Sequence, residues 1–109
     1  MDSSPTDEAV SAGPAGIEVV DVPETRRYEV RAGSRVVGHT RYARQGDSIS
    51  LLHTEIDPSM EGRGVGSRLA AAVLADVMAK GLTIVVRCPF IAAYVRRHAE
   101  DYPGVELRD

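Results

Sequence analysis

A chain of 109 residues, 43% of them apolar, has room for one domain whose core folds without disulfides or a structural metal. The formal charge of −3 equals the charge of Asp2, Asp7 and Glu8 in the first sixteen residues, so the remainder is neutral and lacks the general basic surface that nucleic-acid binding requires. One Phe, four Tyr and no Trp offer little for stacking single-stranded bases, and no apolar run approaches the roughly 20 residues of a membrane span.

Residues 1–16, MDSSPTDEAVSAGPAG, consist of Ser, Pro, Gly, Ala and acids and carry too little apolar surface to offset the entropy of ordering them. They are expected to form a disordered tail ahead of a single domain at 17–109. From Ile17 the pattern is β-like. IEVVDV is a short apolar run, Arg27 to Ala32 alternates around Tyr28 and Val30, Gly33-Ser34 turns into Arg35 to Ala43, and Gln45-Gly46-Asp47 turns into Ser48 to Ile56. Three or four antiparallel strands are expected. Asp57-Pro58 ends the last of them, because proline removes a ladder donor. Val65 to Lys80 is rich in Ala, Leu and Val and predicts a well-buried helix, with Gly81 as its left-handed cap. Thr83 to Val86 then reads as a strand buried on both faces, which makes a right-handed βαβ unit. After Cys88-Pro89, the spacing of Ile91, Tyr94, Val95 and His98 predicts a short helix ending near Tyr102-Pro103.

Between the meander and the long helix lies Glu61-Gly62-Arg63-Gly64-Val65-Gly66. The first amides of a helix are unpaired and carry the positive end of its dipole, so a glycine loop feeding a helix suits an anion such as a phosphate. Arg63 and Arg68 stand where they add charge to that site. A Walker loop is disfavoured, since Gly66 is followed by Ser67-Arg68 rather than Lys-Ser/Thr. A dinucleotide fold is disfavoured as well, because antiparallel strands precede the glycines and no further βα repeats follow. A plain connecting turn remains the bland alternative.

Strand, glycine stretch and long helix together resemble the acetyl-CoA signature of GNAT N-acetyltransferases, R/Q-x-x-G-x-G/A, here on Glu61 to Gly66 followed by Ser67-Arg68-Leu69. His53-Thr54-Glu55 before the glycines and Cys88-Pro89-Phe90 after the parallel strand resemble the short, single-domain branch of that superfamily. Glu61 departs from the usual Gln or Arg, which bears on a side-chain contact there and not on the amides. The resemblance covers roughly Tyr28 to Tyr102. It implies a mixed sheet splayed between the strand ending at Ile56 and the strand from Thr83. The pantetheine arm of acetyl-CoA then pairs with the first of these through Thr54 and Ile56, the diphosphate rests on the amides of Glu61, Gly62, Arg63, Gly64, Val65, Gly66, Ser67 and Arg68, and the thioester lies near His53, Glu55 and Cys88.

Acetyl transfer to an amine needs a base, an oxyanion donor and a proton for the leaving thiolate. His53 and Glu55 are two apart on a strand and share a face unless a bulge separates them, so His53 is a candidate base with Glu55 orienting it; a polar pair on a wet sheet face is the alternative. Cys88, at the end of a parallel strand, is either an acetyl-accepting nucleophile or a small buried hydrophobe. Tyr94 lies where many members of the resembled family place a tyrosine that protonates the thiolate, though its helical stripe equally suits packing. His39 and His98 are too scattered from His53 to form a metal site, and none is expected.

The sequence therefore implies an α/β (α+β) GNAT-like fold with an antiparallel meander, a βαβ unit and a short C-terminal helix. The expected activity is transfer of acetyl from acetyl-CoA to a primary amine, on a protein, a peptide or a small molecule. The rivals are a non-catalytic acyl-CoA-binding module and a purely structural domain. A lone Cys88 and the lack of a basic-then-apolar leader point to a reducing cytoplasm, with neither membrane nor nucleic acid as partner.

Overall fold

The computed structural model describes residues 8–12, as backbone, and residues 16–109. The described residues form seven strands in one sheet whose spatial order follows the chain. These are β1 (Glu8–Ala12), β2 (Ile17–Val22), β3 (Arg27–Ala32), β4 (Arg35–Gln45), β5 (Ser48–Ile56), β6 (Thr83–Val86) and β7 (Glu106–Leu107). Helix α1 (Val65–Ala79) links β5 to β6, and α2 (Pro89–Arg97) precedes β7.

Strands β1 to β5 are antiparallel neighbours, whereas β5, β6 and β7 run parallel. The turns carry the glycines expected of them, with Gly33 at φ 64° and Gly46 at φ 58°. At the end of α1, Leu82 N–H donates to Val77 C=O and Gly81 N–H to Met78 C=O, and Gly81 has φ 71°. That is the bonding of a Schellman cap, which only a residue at ease in the left-handed region completes without strain.

Two expectations need correction. Residues 8–12 lie in the presumed tail yet pair with β2; backbone hydrogen bonding to an apolar, otherwise unpaired edge orders a segment whose own composition does not. Residues 1–7 and 13–15 fall outside the described residues. The meander thus has five strands, and a further strand, β7, follows the C-terminal helix and pairs with β6 through Val85 and Val86.

Both crossovers, β5–α1–β6 and β6–α2–β7, advance in the same direction along the sheet, so right-handed connections put both helices on one face. Their buried side chains accordingly join a single core, with Leu69, Val73, Leu74 and Val77 of α1 and Ile91 and Val95 of α2 against Tyr28, Val30, Leu51 and Val86 of the sheet. Beneath the C-terminal half of α1 sits a polar tie. The Tyr28 hydroxyl donates to Asp76 at 2.6 Å, the Tyr42 hydroxyl to Asp21 at 2.7 Å, and Lys80 Nζ reaches Asp76 at 2.8 Å and Asp21 at 3.2 Å. Every buried polar group there has a partner, so the helix is pinned in register over β2, β3 and β4.

Candidate acyl-CoA cleft

The site begins with a departure from strand regularity in β5. Arg41 pairs with His53, but the next residue, Tyr42, pairs with Leu51, which leaves Leu52 as an extra residue on β5. A bulge of this kind switches which residues face the core. Ile49 and Leu51 point to the helices before it, and Thr54 and Ile56 do so after it, so His53 and Glu55 turn to the uncovered face.

The same bulge marks where β5 and β6 part. They pair only from Ser48 with Thr83 to Leu51 with Val86, and the Arg87 and Cys88 N–H groups make the last bonds, both to Leu51 C=O. β5 continues alone to Ile56. Its Asp57 N–H bonds back to Val37 on β4. By alternation, the N–H and C=O groups of Thr54 and Ile56 point the other way, into the opening that β6 has left.

The Glu61–Gly64 loop closes the far side of this opening. Gly62 and Gly64 have φ 79° and 72°, a region costly for residues with a Cβ, and Gly64 is the N-cap of α1. No side chain caps the helix, and the first helical bond runs from Arg68 N–H to Gly64 C=O. The amides of Val65, Gly66 and Ser67 are therefore free for an anion. Gly66 is small for a different reason: a Cβ there meets Phe90 Cζ at 2.5 Å. The Phe90 ring, rather than backbone freedom, is what a side chain there displaces.

Together these pieces bound a cleft of about 420 Å³, within the range of small-molecule sites. Thr54, Ile56, Glu61, Gly62, Gly64, Val65, Gly66 and Ser67 line it, as do Met60 and Phe90. Arg63 and Arg68 line a shallower groove along the outside of α1 that shares Gly64 and Ser67 with the cleft. Its position beside the free amides puts two cations at that end of the cleft, a setting that suits an anion.

The four side chains with candidate chemistry fall in three places. His53 Nε2 lies 2.9 Å from Glu55 Oε2 on the uncovered face, both residues largely exposed. The hydrogen bond from His53, with its charge, holds the Glu55 carboxyl below the usual carboxylate range. Opposite Glu55 in the β4 register stands His39, whose imidazole is pushed down from its ordinary value by burial and by the Arg27 charge. Cys88 is buried behind the cleft, and its thiol donates to Thr54 Oγ1 at 3.2 Å, while Thr54 Oγ1 lies 2.9 Å from the fully buried Thr40 Oγ1. Tyr94 is not among the cleft residues. It sits toward the other end of α2 against His98 and Tyr102, with ring centroids at 4.4 and 6.1 Å, and the Tyr102 hydroxyl is pushed up to about 12 chiefly by burial.

A family model described as a GCN5-related N-acetyl-transferase matches residues 27–105, from the start of β3 to the residue before β7. The chain belongs to the GCN5-related N-acetyltransferase (GNAT) family. The match takes in β5, the glycine loop and both helices, so the whole cleft lies within the GNAT domain and the chain falls in the acyltransferase class. It matches no curated protein.

Residues that sequence reasoning passed over complete the GNAT cleft. Met60 reads as an ordinary apolar residue and Thr40, which backs Thr54, as one of many strand threonines, while Phe90 enters the sequence reading only as part of Cys88-Pro89-Phe90. Leu52 carried no signal of a bulge, because Leu51-Leu52 breaks the apolar alternation by a single residue only.

Proposed function

We propose that this GNAT domain transfers an acetyl group from acetyl-CoA to a primary amine. One observation carries the reading: a bare strand edge at Thr54 and Ile56 and an uncapped helix N-terminus at Val65 to Ser67 line the same cleft. An acyl-CoA thioester is an extended chain with two amides and a diphosphate. The edge suits the amides by strand addition, and the helix terminus suits the diphosphate. The N–H groups of Thr54 and Ile56 are also the donors nearest a thioester carbonyl seated along β5, where charge develops during acyl transfer.

The acceptor amine must arrive unprotonated. Glu55, charged and bonded to His53 Nε2, favours the tautomer with the proton on that nitrogen and leaves Nδ1 with an unshared lone pair. His53 in that form takes the amine proton as nitrogen attacks the thioester carbon. The carbon–sulfur bond breaks, the amide is released, and CoA thiolate regains a proton through water. Tyr94, packed against His98 and Tyr102 and not among the cleft residues, has no part in this scheme. Cys88 serves it by holding Thr54 in place, because the thiol's hydrogen bond is to a hydroxyl and not to a base.

Release of CoA measured with a panel of primary amines, together with mass spectrometry of the acceptors, tests the proposal. Turnover that depends on His53 supports it. Tight binding of acetyl-CoA without turnover of any amine identifies the acyl-CoA-binding module instead.

A further inference from the structure

Because α1 and α2 occupy one face of the sheet, an acceptor reaches the parting of β5 and β6 from the other. The carboxylates on that face near the parting are already matched. Glu29 is gripped by Arg27 at 2.7 Å and Arg31 at 2.8 Å, Glu55 by His53 at 2.9 Å, and Glu106 by Arg108. Two guanidiniums are left over. Arg41 stands directly across from His53 in the β4–β5 register, exposed and without a hydrogen bond or ion pair among the described residues. Arg87 is the residue whose N–H helps close the β5–β6 ladder, and it too is exposed and without a described partner. Alternation from the buried Ile84 and Val86 turns Arg87 to the uncovered face. The strand order β4, β5, β6 then sets the His53–Glu55 pair between two unneutralised cations.

From this arrangement, and resting on the acetyl-transfer reading above, we infer that the acceptor is a lysine within an acidic polypeptide segment, its carboxylates meeting Arg41 and Arg87 while the amine lies at His53. Two unpaired guanidiniums repel a polyamine and attract carboxylates on either side of the reacting nitrogen. The site is also open, with His53 and Glu55 side chains 50% and 66% exposed. A surface without walls suits a chain segment that supplies contacts along its length, not a small amine that must be enclosed to be held.

The test uses the full chain, acetyl-CoA, and peptides containing one lysine flanked by Glu, by Ser or by Arg. The inference expects kcat/KM to fall in that order, with at least about a tenfold gap between the acidic and basic peptides at low salt that narrows toward about 1 M salt. Arg41→Glu and Arg87→Glu, with far-UV circular dichroism unchanged, are expected to erase or reverse the preference, mainly through KM. Equal kcat/KM across the series overturns the inference, as does a preference that persists in the doubly substituted protein. Calorimetry with acetyl-CoA separates the two levels. Turnover of all peptides alike with acetyl-CoA bound sinks only the acidic acceptor, bound acetyl-CoA with no peptide turned over sinks the polypeptide acceptor, and no binding sinks the acetyl-transfer reading as well.

Discussion

The Cys88 thiol donates to Thr54 Oγ1 across 3.2 Å and so joins the end of β6 to the unpaired part of β5. This is the one side-chain hydrogen bond that spans the parting of the strands among the described residues. It extends through Thr54 to Thr40, in the core of β4. Replacing Thr54 with Val removes both links and leaves the buried Thr40 hydroxyl short of a partner, at a cost of about 1–2 kcal/mol. Urea unfolding measures that loss directly.

Direct transfer predicts that Cys88 carries no acetyl group. Incubation with acetyl-CoA alone is expected to leave the intact mass unchanged, and Cys88→Ala to keep CoA release within about tenfold of the parent protein, since only positioning is lost. A stable acetyl adduct on Cys88 together with an inactive Cys88→Ala protein establishes the covalent route instead.

For the His53–Glu55 pair, His53→Ala is expected to lower kcat by about a hundredfold, the low end for a general base, and Glu55→Gln by less. The sign of the pH effect follows from the hydrogen bond. Glu55 has its carboxyl held below the usual range, so its charged form is fully present above the ordinary carboxylate value and is lost only as pH falls through the depressed one. A loss of activity between about pH 7 and pH 5 therefore does not come from Glu55. A kcat/KM profile of the parent with no inflection at the ordinary carboxylate value bears this out.

The two glycines at the start of α1 respond differently to Ala. At Gly64 the new methyl meets open space but sits at φ 72°, which costs about 1 kcal/mol of strain and places carbon at the mouth of the amide cluster. At Gly66 it collides with Phe90, and the half-exposed ring must swing aside. Adding Phe90→Ala is expected to restore the stability lost in Gly66→Ala and to do nothing for Gly64→Ala. A double-mutant cycle on melting temperature distinguishes the two.

Alkaline stability reports on the tie beneath α1. Burial, then the hydrogen bonds to Asp76 and Asp21, push the Tyr28 and Tyr42 hydroxyls well above their ordinary range. Desolvation works against the Lys80 charge, but Asp76 and Asp21 outweigh it and raise that group as well. All three have the same sign: their contribution is complete below the unfolded values near ~10 and is lost as pH rises through the higher folded ones. The unfolding free energy is expected to hold from neutrality to about pH 10 and then decline. Lys80→Met, which leaves Asp21 and Asp76 facing each other, should cost about 1–2 kcal/mol at neutral pH, the low end because Lys80 keeps part of its side chain in solvent.

The legible parts of this molecule are those set by local chemistry. Gly33, Gly46 and Gly81 announce turns and a cap because few other residues take their φ, and the Ala-rich run after Gly66 announces α1. The glycine loop was visible for the same reason. What stayed hidden depends on partners remote in sequence. Residues 8–12 become a strand only against β2, and Glu106–Leu107 only against β6. The Leu52 bulge, which decides that Thr54 faces the cleft and His53 does not, is a mismatch between two strands and has no residue type of its own. Tyr94 lies on α2 as its spacing implies, and the ring it packs against, Tyr102, lies beyond the helix, where helical periodicity gives no sign of it.

Titration calorimetry of the chain with acetyl-CoA tests the central claim most directly. The account predicts one site per chain, with affinity that drops at least about tenfold in Gly64→Ala and weakens as salt rises, as expected of a diphosphate held by helix amides and arginines. Absence of binding heat with acetyl-CoA at millimolar concentration, or binding indifferent to Gly64, contradicts it.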